Sequence, residues 1–387
     1  MKGEYNLAFL DNASTTKLYP EVIETITDVL TNYWANPSSN YSVADDARML
    51  IEQAREQFAD DLNCDPSEII FTSSGCESNS LAISGFVESN FGYDFYYSSL
   101  EHASINELVD KSHSLTGRVQ IPNDCNGFIS KDVLYSCIRN YQNFSNRKPF
   151  VSISAANSEI GIKQNIKSLA EVVHEYGGII HCDAVQLFPE ERIDVKDWNV
   201  DLLSISPQKF HAGRGCGLLY VKNGIKISPI IYGSQEMGLR GGSYNTAAIC
   251  AAGKALEITR ANNAMSHVQR LRDEFLDKLL QITGARLNGP PVGAQRLVNN
   301  ISLTIDGVNA EKLMTLCDLN RVIIARGSAC QAYNPVPSKT LKSIGLTDEQ
   351  ALSTIRITLD EFNTEEEINE AAEIITKLVE RIRNEEI

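Results

Sequence analysis

Ile179-Ile180-His181-Cys182-Asp183-Ala184-Val185-Gln186 and Leu202-Leu203-Ser204-Ile205-Ser206-Pro207-Gln208-Lys209 are the two stretches on which the fold turns. Each is a short apolar run that ends in polar chemistry, an Asp in the first and a Lys in the second. Short apolar runs bounded by turn residues read as buried strands. Open α/β sheets take their ligands at the carboxyl ends of such strands. By itself Asp183 reads equally well as a cap at a strand-to-helix turn, and a lone Lys is usually a solvated surface group. Their joint occurrence at two strand ends raises the prior for chemistry.

Working outward, further short apolar runs occupy residues 69–71, 95–97, 151–155 and 217–221. Helical periodicity lies between them: Val22, Ile23, Ile26, Val29 and Leu30 share one face, and Ala47, Leu50, Ile51, Ala54 and Phe58 share another. Residues 168–176 form a third helical stretch. This alternation predicts an α/β fold, a mostly parallel sheet flanked by helices on both faces.

The pattern changes after a helical stretch at residues 247–280. A Gly/Pro cluster at 287–293 leads into an alternating run at 298–305, and Thr364 with Glu367 forms a capping box. Ile368, Ala371, Ala372, Ile375, Leu378, Val379 and Ile382 then make an apolar stripe. We expect a large domain over residues 15–262 and a smaller α+β domain built from 1–14 and 263–387.

Composition narrows the function. The 387 residues are 43% hydrophobic, enough for a large core, and carry a formal charge of −15. That acidity argues against broad contact with nucleic acid, which needs clustered Lys and Arg. No window approaches the roughly 18 apolar residues of a membrane span, and the N-terminus lacks a signal-peptide pattern. The nine cysteines are scattered with no C-x-x-C pair, which reads as reduced thiols in a cytoplasmic protein and not as a zinc site.

The strand-end pair suggests pyridoxal phosphate, which needs a Lys amine to hold its aldehyde and a carboxylate to keep its ring nitrogen protonated. Phe71-Thr72-Ser73-Ser74-Gly75-Cys76-Glu77-Ser78-Asn79 reads as a strand, small and hydroxyl residues, then a helix start that offers N–H groups to a phosphate. It lacks the Lys and spacing of a Walker loop, and no G-x-G-x-x-G follows the first strand, which disfavours nucleotide chemistry. Val322-Ile323-Ile324-Ala325-Arg326-Gly327-Ser328-Ala329-Cys330 places one thiol among small residues, ahead of Tyr333-Asn334-Pro335-Val336-Pro337. Residues of about 326–338 read as a mobile loop, with Cys330 as candidate nucleophile or as a chance Cys in a turn.

Together these residues resemble the cysteine desulfurases, in the class V branch of the fold-type I pyridoxal-phosphate enzymes. The resemblance runs through Leu10-Asp11-Asn12-Ala13-Ser14-Thr15-Thr16, Asn36-Pro37-Ser38-Ser39, the loop at 72–79, Glu101-His102 and Asn157-Ser158-Glu159-Ile160-Gly161. It continues in Asp183, Gln186, Lys209, the run at 238–243, the segment 327–330 and Arg356. It implies that Lys209 carries the cofactor, Asp183 pairs with the ring nitrogen, and His102 stacks on the ring and moves protons. Gln186 and Asn157 would contact the ring hydroxyl and the bound amino acid. Gly75, Cys76, Ser206 and Gln208 would hold the phosphate, with Ser243 reaching the neighbouring subunit of a homodimer. Arg356 would clamp the carboxylate of L-cysteine, and Cys330 would take its sulfur and pass it to an acceptor protein in iron–sulfur assembly, tRNA thiolation or DNA phosphorothioation.

The chain departs from the family pattern at four places. Gln208 stands where the family has His before the Lys, Ser42 where a His follows Asn-Pro-Ser-Ser, Ser243 where Thr is usual, and Asp360-Glu361 near where a second Arg is common. A selenocysteine lyase or a class V aminotransferase on the same scaffold is an alternative. A non-catalytic sulfur-relay protein is another.

Overall fold

A computed structural model describes residues 7–115, 117–327 and 336–385 of the chain. Its strands are β1 (Ala8–Phe9), β2 (Ile69–Thr72), β3 (Tyr93–Ser98), β4 (Val119–Ile121), β5 (Lys148–Ser154), β6 (Ile179–Asp183), β7 (Leu202–Ile205) and β8 (Gly217–Val221). They continue with β9 (Ala285–Leu287), β10 (Asn300–Ile305), β11 (Val322–Ile323), β12 (Ala325–Arg326) and β13 (Thr354–Thr358). All six apolar runs of the sequence are strands of one seven-stranded sheet, in the order β2-β8-β7-β6-β5-β3-β4. β7, β6, β5, β3 and β4 pair in parallel, whereas β8 is antiparallel to both neighbours. The expected mostly parallel α/β sheet is therefore present. The strand that pattern reading missed, β4, is a three-residue edge piece too short to show a period.

Alternation along each strand divides side chains between two cores. Leu203, Ile205, Leu218 and Tyr220 pack with Ile51, Ala54, Phe58, Leu169 and Ala252, from the helices Ser42–Leu62, Ile166–Glu175 and Thr246–Ala261. Leu202, Leu219 and Val221 face the other way, onto Ile83, Phe86 and Ile105. Strands buried on both faces need near-continuous apolar sequence, which is why these runs stood out.

A second sheet, in the order β12-β13-β10-β9, is antiparallel throughout. Ile301, Leu303, Ile305, Ile355 and Ile357 on one of its faces pack with the helices Ala264–Leu279 and Glu365–Arg383. Ala8 and Leu10 belong to this core, so the start of the chain packs with its far end.

Three local expectations change. The helical stretch at 247–280 is two helices, Thr246–Ala261 and Ala264–Leu279, parted at Asn262 and Asn263. Asn side chains compete with helical hydrogen bonds, so paired Asn favours a break. In the run at 298–305 the strand begins at Asn300, and its polar face is buried as fully as its apolar one. Thr304 is paired there with Asn288 Nδ2 at 2.9 Å and Thr354 at 2.7 Å, which removes the penalty of burying it. On the helix Pro20–Asn32, Val22 and Val29 are buried, yet Ile23 and Leu30 stay 53% and 66% exposed.

Phe58 ties this packing to the end of β7. Its ring lies 6.3 Å from Phe71, 6.3 Å from Phe188 and 6.4 Å from Phe210, which follows Lys209. Phe58→Ala should destabilise the protein by about 3–5 kcal/mol, read as a lower urea midpoint, because a buried ring leaves a cavity its neighbours cannot fill.

Candidate functional site

The carboxyl ends of β2, β3, β5, β6 and β7 open onto one cavity of about 480 Å³. This is the size of an ordinary small-molecule site. Ser74, Gly75 and Cys76 line it from β2, His102 from β3, and Asn157 from β5. Asp183 and Gln186 follow from β6, and Ser206, Gln208 and Lys209 from β7. Arg356, from β13 of the second sheet, and Gly327 complete it. A groove of about 860 Å³ is larger and more open, but Lys209, Asp183 and Arg356 do not line it.

The turn after β2 is built tight. Ser74 caps the helix Gly75–Ser80, its Oγ accepting from the N–H of Glu77 at 3.2 Å. The chain then passes through a π-helical turn, Leu81–Gly85, a feature that often marks functional sites. A Cβ on Gly75 would lie 3.0 Å from Val185 and 3.1 Å from Ser206. One on Gly217 of β8 would lie 2.4 Å from the backbone of Ser74. Glycine at both positions lets the turn close on the strand ends.

Asp183 is 5% exposed. Its Oδ1 accepts from Val185 N–H at 3.0 Å and its Oδ2 from Asn79 Nδ2 at 2.8 Å, which fixes the carboxylate plane. Lys209 Nζ donates to the carbonyls of Ala13 and Ser14, each at 2.7 Å. Gln186 Nε2 reaches the Ala13 carbonyl at 3.3 Å and Gln208 Nε2 the Ser14 carbonyl at 3.4 Å. Burial first, and the nearby Arg356 cation second, push the Lys209 pKa down to about 8.

His102 caps the helix Ala103–Lys111, its Nδ1 accepting from Ser104 N–H at 3.1 Å. The neutral ring then carries its proton on Nε2. The imidazole is open to the cavity, but the walls around it strip water from it, and its pKa falls below the ordinary value. Asn157 is more committed than the sequence suggests. Its Oδ1 accepts from the N–H groups of Glu159 and Ile160, and its Nδ2 donates to the Leu100 carbonyl at 2.9 Å. One amide N–H is left for a ligand.

Arg356 is 4% exposed, and its Nη2 donates to Asp11 Oδ1 at 2.7 Å. Its Nε is buried with no partner among the described residues. A guanidinium oriented by one carboxylate and missing a second acceptor suits a carboxylate ligand.

The structure adds residues to which sequence reading gave no role. Asn79 and Asp11 orient Asp183 and Arg356 from within motifs already quoted, Asp11 being a lone charge in an apolar opening run. Glu101 receives hydrogen bonds from Ser154 N and Oγ, each at 2.8 Å. Burial, then the charge of Asp183, push its pKa up to about 8. No pattern in the sequence marks the carbonyls of Ala13 and Ser14, since any residue supplies one.

Ser243 is exposed and lies outside this cavity, on the run at 238–243 that Arg240 ties to Glu77 at 2.9 Å. Ser42 begins the helix Ser42–Leu62 and does not line the cavity either. Cys330 lies outside the described residues, as does most of the loop expected at 326–338. Among the described residues no acidic, His and Cys cluster could hold a metal ion, and no helix is long and apolar enough to cross a membrane.

The remaining residues fit pyridoxal phosphate. They offer an amine of depressed pKa, a fixed carboxylate, a helix start closed by Gly75, and a buried Asn79 Oδ1 without a partner.

Comparison with known proteins agrees with this chemistry. The family described as aminotransferase class-V matches residues 8–370. A cysteine desulfurase IscS of Methanosarcina thermophila is 34% identical, over 98% of this chain and 94% of its own. Among solved structures, a NifS-like protein superposes with a TM-score of 0.88 at 27% identity, covering 97% of this chain and 99% of its own. SspA in complex with cysteine superposes with a TM-score of 0.79 at 30% identity, covering 92% and 100%.

Lys209 gives a titration test. Only the neutral amine condenses with an aldehyde, so cofactor capture by the cofactor-free protein should quicken as pH rises through about 8 and then level off. Stopped-flow absorbance with added pyridoxal phosphate measures it. A midpoint near 10.4, the ordinary Lys value, would contradict the environment described.

Proposed function

The chain belongs to the class V aminotransferase family, among its cysteine desulfurases, and from that premise we propose how its residues take the sulfur from L-cysteine. The observation that carries the reading is the convergence of Lys209, Asp183, His102 and Arg356 on one cavity.

Pyridoxal phosphate, held by Lys209, supplies an electron-withdrawing ring that makes the substrate Cα proton removable. Asp183 would hold the ring nitrogen, and the turn at Ser74, Gly75 and Cys76, with Ser206 and Gln208, would hold the phosphate. Arg356 binds the substrate carboxylate from the cavity wall while Asp11 holds its Nη2. Lys209, with a pKa of about 8, can both take up and return a proton near neutral pH. His102, held neutral with its proton on Nε2, is the second group able to move one.

Cys330 is the sulfur acceptor in this reading, on the strength of its sequence context. Gly327, the last described residue before it, lines the cavity with Arg356. The thiolate takes the substrate sulfur, the S–Cβ bond breaks with its electron pair going to carbon, and that carbon gains a proton. The products are L-alanine and a persulfide on Cys330. The next carrier is a protein thiol, since a formal charge of −15 disfavours direct contact with nucleic acid.

A second copy of the chain completes the site. Ser243 is exposed beyond its own cavity, and Trp34, Tyr232 and Met237 are 76%, 75% and 60% exposed. Large apolar side chains left open in this way suit a protein interface.

Four experiments test this. Cys330→Ser should keep bound cofactor and the colour change on adding L-cysteine, yet lose sulfide and alanine release. Peptide mass spectrometry of the wild type should place one reducible sulfur on Cys330. Sulfur mapping to Cys76, or full turnover by Cys330→Ser, would refute the assignment. Sedimentation should find a homodimer, and Ser243→Ala should loosen the cofactor without dissociating it. A fully active monomer would refute the shared site.

A further inference from the structure

A small cavity of about 40 Å³ lies between the site and the outer groove. It shares Gln186 and Lys209 with the cavity of the site, and Asn12, Thr16 and Asp360 with the groove. It sits where the two cores meet, with Phe210 contributed from one and Val268 from the other.

Its lining is polar where a seam between cores would be expected to be apolar. Asn12, Glu190 and Asn299 line it, and each keeps a buried side-chain oxygen (Oδ1, Oε1 and Oδ1) without a hydrogen-bond partner among the described residues. Asn12 is 4% exposed, and its Nδ2 is already spent on the carbonyls of Phe9 and Thr358. The other oxygen of Glu190 accepts from Val298 N–H at 3.0 Å. An unmatched buried acceptor costs about 1–3 kcal/mol, and three carboxyl and amide oxygens around one cavity call for an occupant that donates hydrogen bonds. No metal-binding cluster is present among the described residues. A volume of this size admits about two or three waters.

The far end of the cavity carries an acid where the family commonly has a second Arg nearby. Asp360 lines both the cavity and the groove, and its Oδ1 accepts from Phe362 N–H at 3.0 Å. His211, Glu361 and Glu367 act on it electrostatically, Tyr19 and Glu190 share its cavity, and Lys17 and Arg214 share its groove. A carboxyl group can take up and release a proton there, which a guanidinium cannot.

We propose that this cavity holds ordered water linking Lys209 to Asp360, a rear route by which the lysine exchanges its proton with solvent while substrate fills the front of the site. The proposal rests on the reading of Lys209 as the group that handles the substrate proton.

A crystal structure of the cofactor-loaded protein should place water within hydrogen-bond distance of Asn12 Oδ1, Glu190 Oε1 and Asn299 Oδ1. In heavy water, nuclear magnetic resonance follows deuterium entering the Cα position of L-alanine. Asn299→Leu, which fills the cavity with methyl groups, should slow that exchange about tenfold, the effect of a modestly raised barrier, with cofactor absorbance and alanine affinity kept. Asn299→Ser, which leaves the cavity polar, should exchange at the wild-type rate. A dry cavity, or wild-type exchange by Asn299→Leu, overturns the route alone. No exchange by the wild type, or full exchange by Lys209→Ala, overturns the role given to Lys209.

Discussion

The segment from Leu10 to Thr16 is the constraint on which the site depends. Leu10 is buried in the core of the smaller sheet, and the Ala13 N–H donates to Thr358 Oγ1 at 2.8 Å. The next residues cross to the large sheet, where the carbonyls of Ala13 and Ser14 hold Lys209 Nζ. Thr16 Oγ1 then donates to the Gln208 carbonyl at 2.9 Å and accepts from His211 N–H at 2.8 Å. One short stretch thus fixes the Lys209 amine and joins the two cores. A backbone carbonyl is a good anchor for an amine that must later let go, because it orients the group without the full attraction of a carboxylate.

The electrostatics follow from that placement. Crowding charged groups into one buried space shifts Lys209 and Glu101 through burial and their neighbours. Lys209 is lowered toward neutrality, and Glu101 beside Asp183 is raised to about 8. Burial first, and the neighbouring charge of Asp183 second, make Glu101 hold its proton to a higher pH than an ordinary carboxyl group. Asp11 pairs with Arg356 at 2.7 Å and so orients a guanidinium that lines the same cavity. Perturbed groups gathered in one cavity mark a working site more securely than any one of them.

Much of this was legible in the sequence because it rests on local pattern. Ile179 to Asp183 and Leu202 to Ile205 are mostly apolar because strands buried on both faces must be, the inner exceptions His181 and Ser204 pairing with each other at 3.0 Å, and the polar residues at or just past their ends fall where ligands bind. The capping box at Thr364 predicted where the last helix begins, and it begins there. The chain's other local signals were less complete. Ile23 and Leu30 belong to a periodic face, but periodicity does not say whether the covering surface is this chain's own core. Asn157 looked free to bind a ligand until its turn claimed most of its amide.

The sequence by itself determined the alternation of strands and helices, the strand-end Asp183 and Lys209, and the family to which their order belongs. These depend on residue type and spacing, which a linear chain carries in full. Tertiary structure alone decided that Asp11 would orient Arg356 from 345 residues away. It alone decided that the carbonyls of Ala13 and Ser14 would hold the lysine, and that three unmatched carboxyl and amide oxygens would share one cavity. Those facts depend on which distant groups meet once the cores are packed, and on hydrogen bonds made by backbone atoms that every residue has.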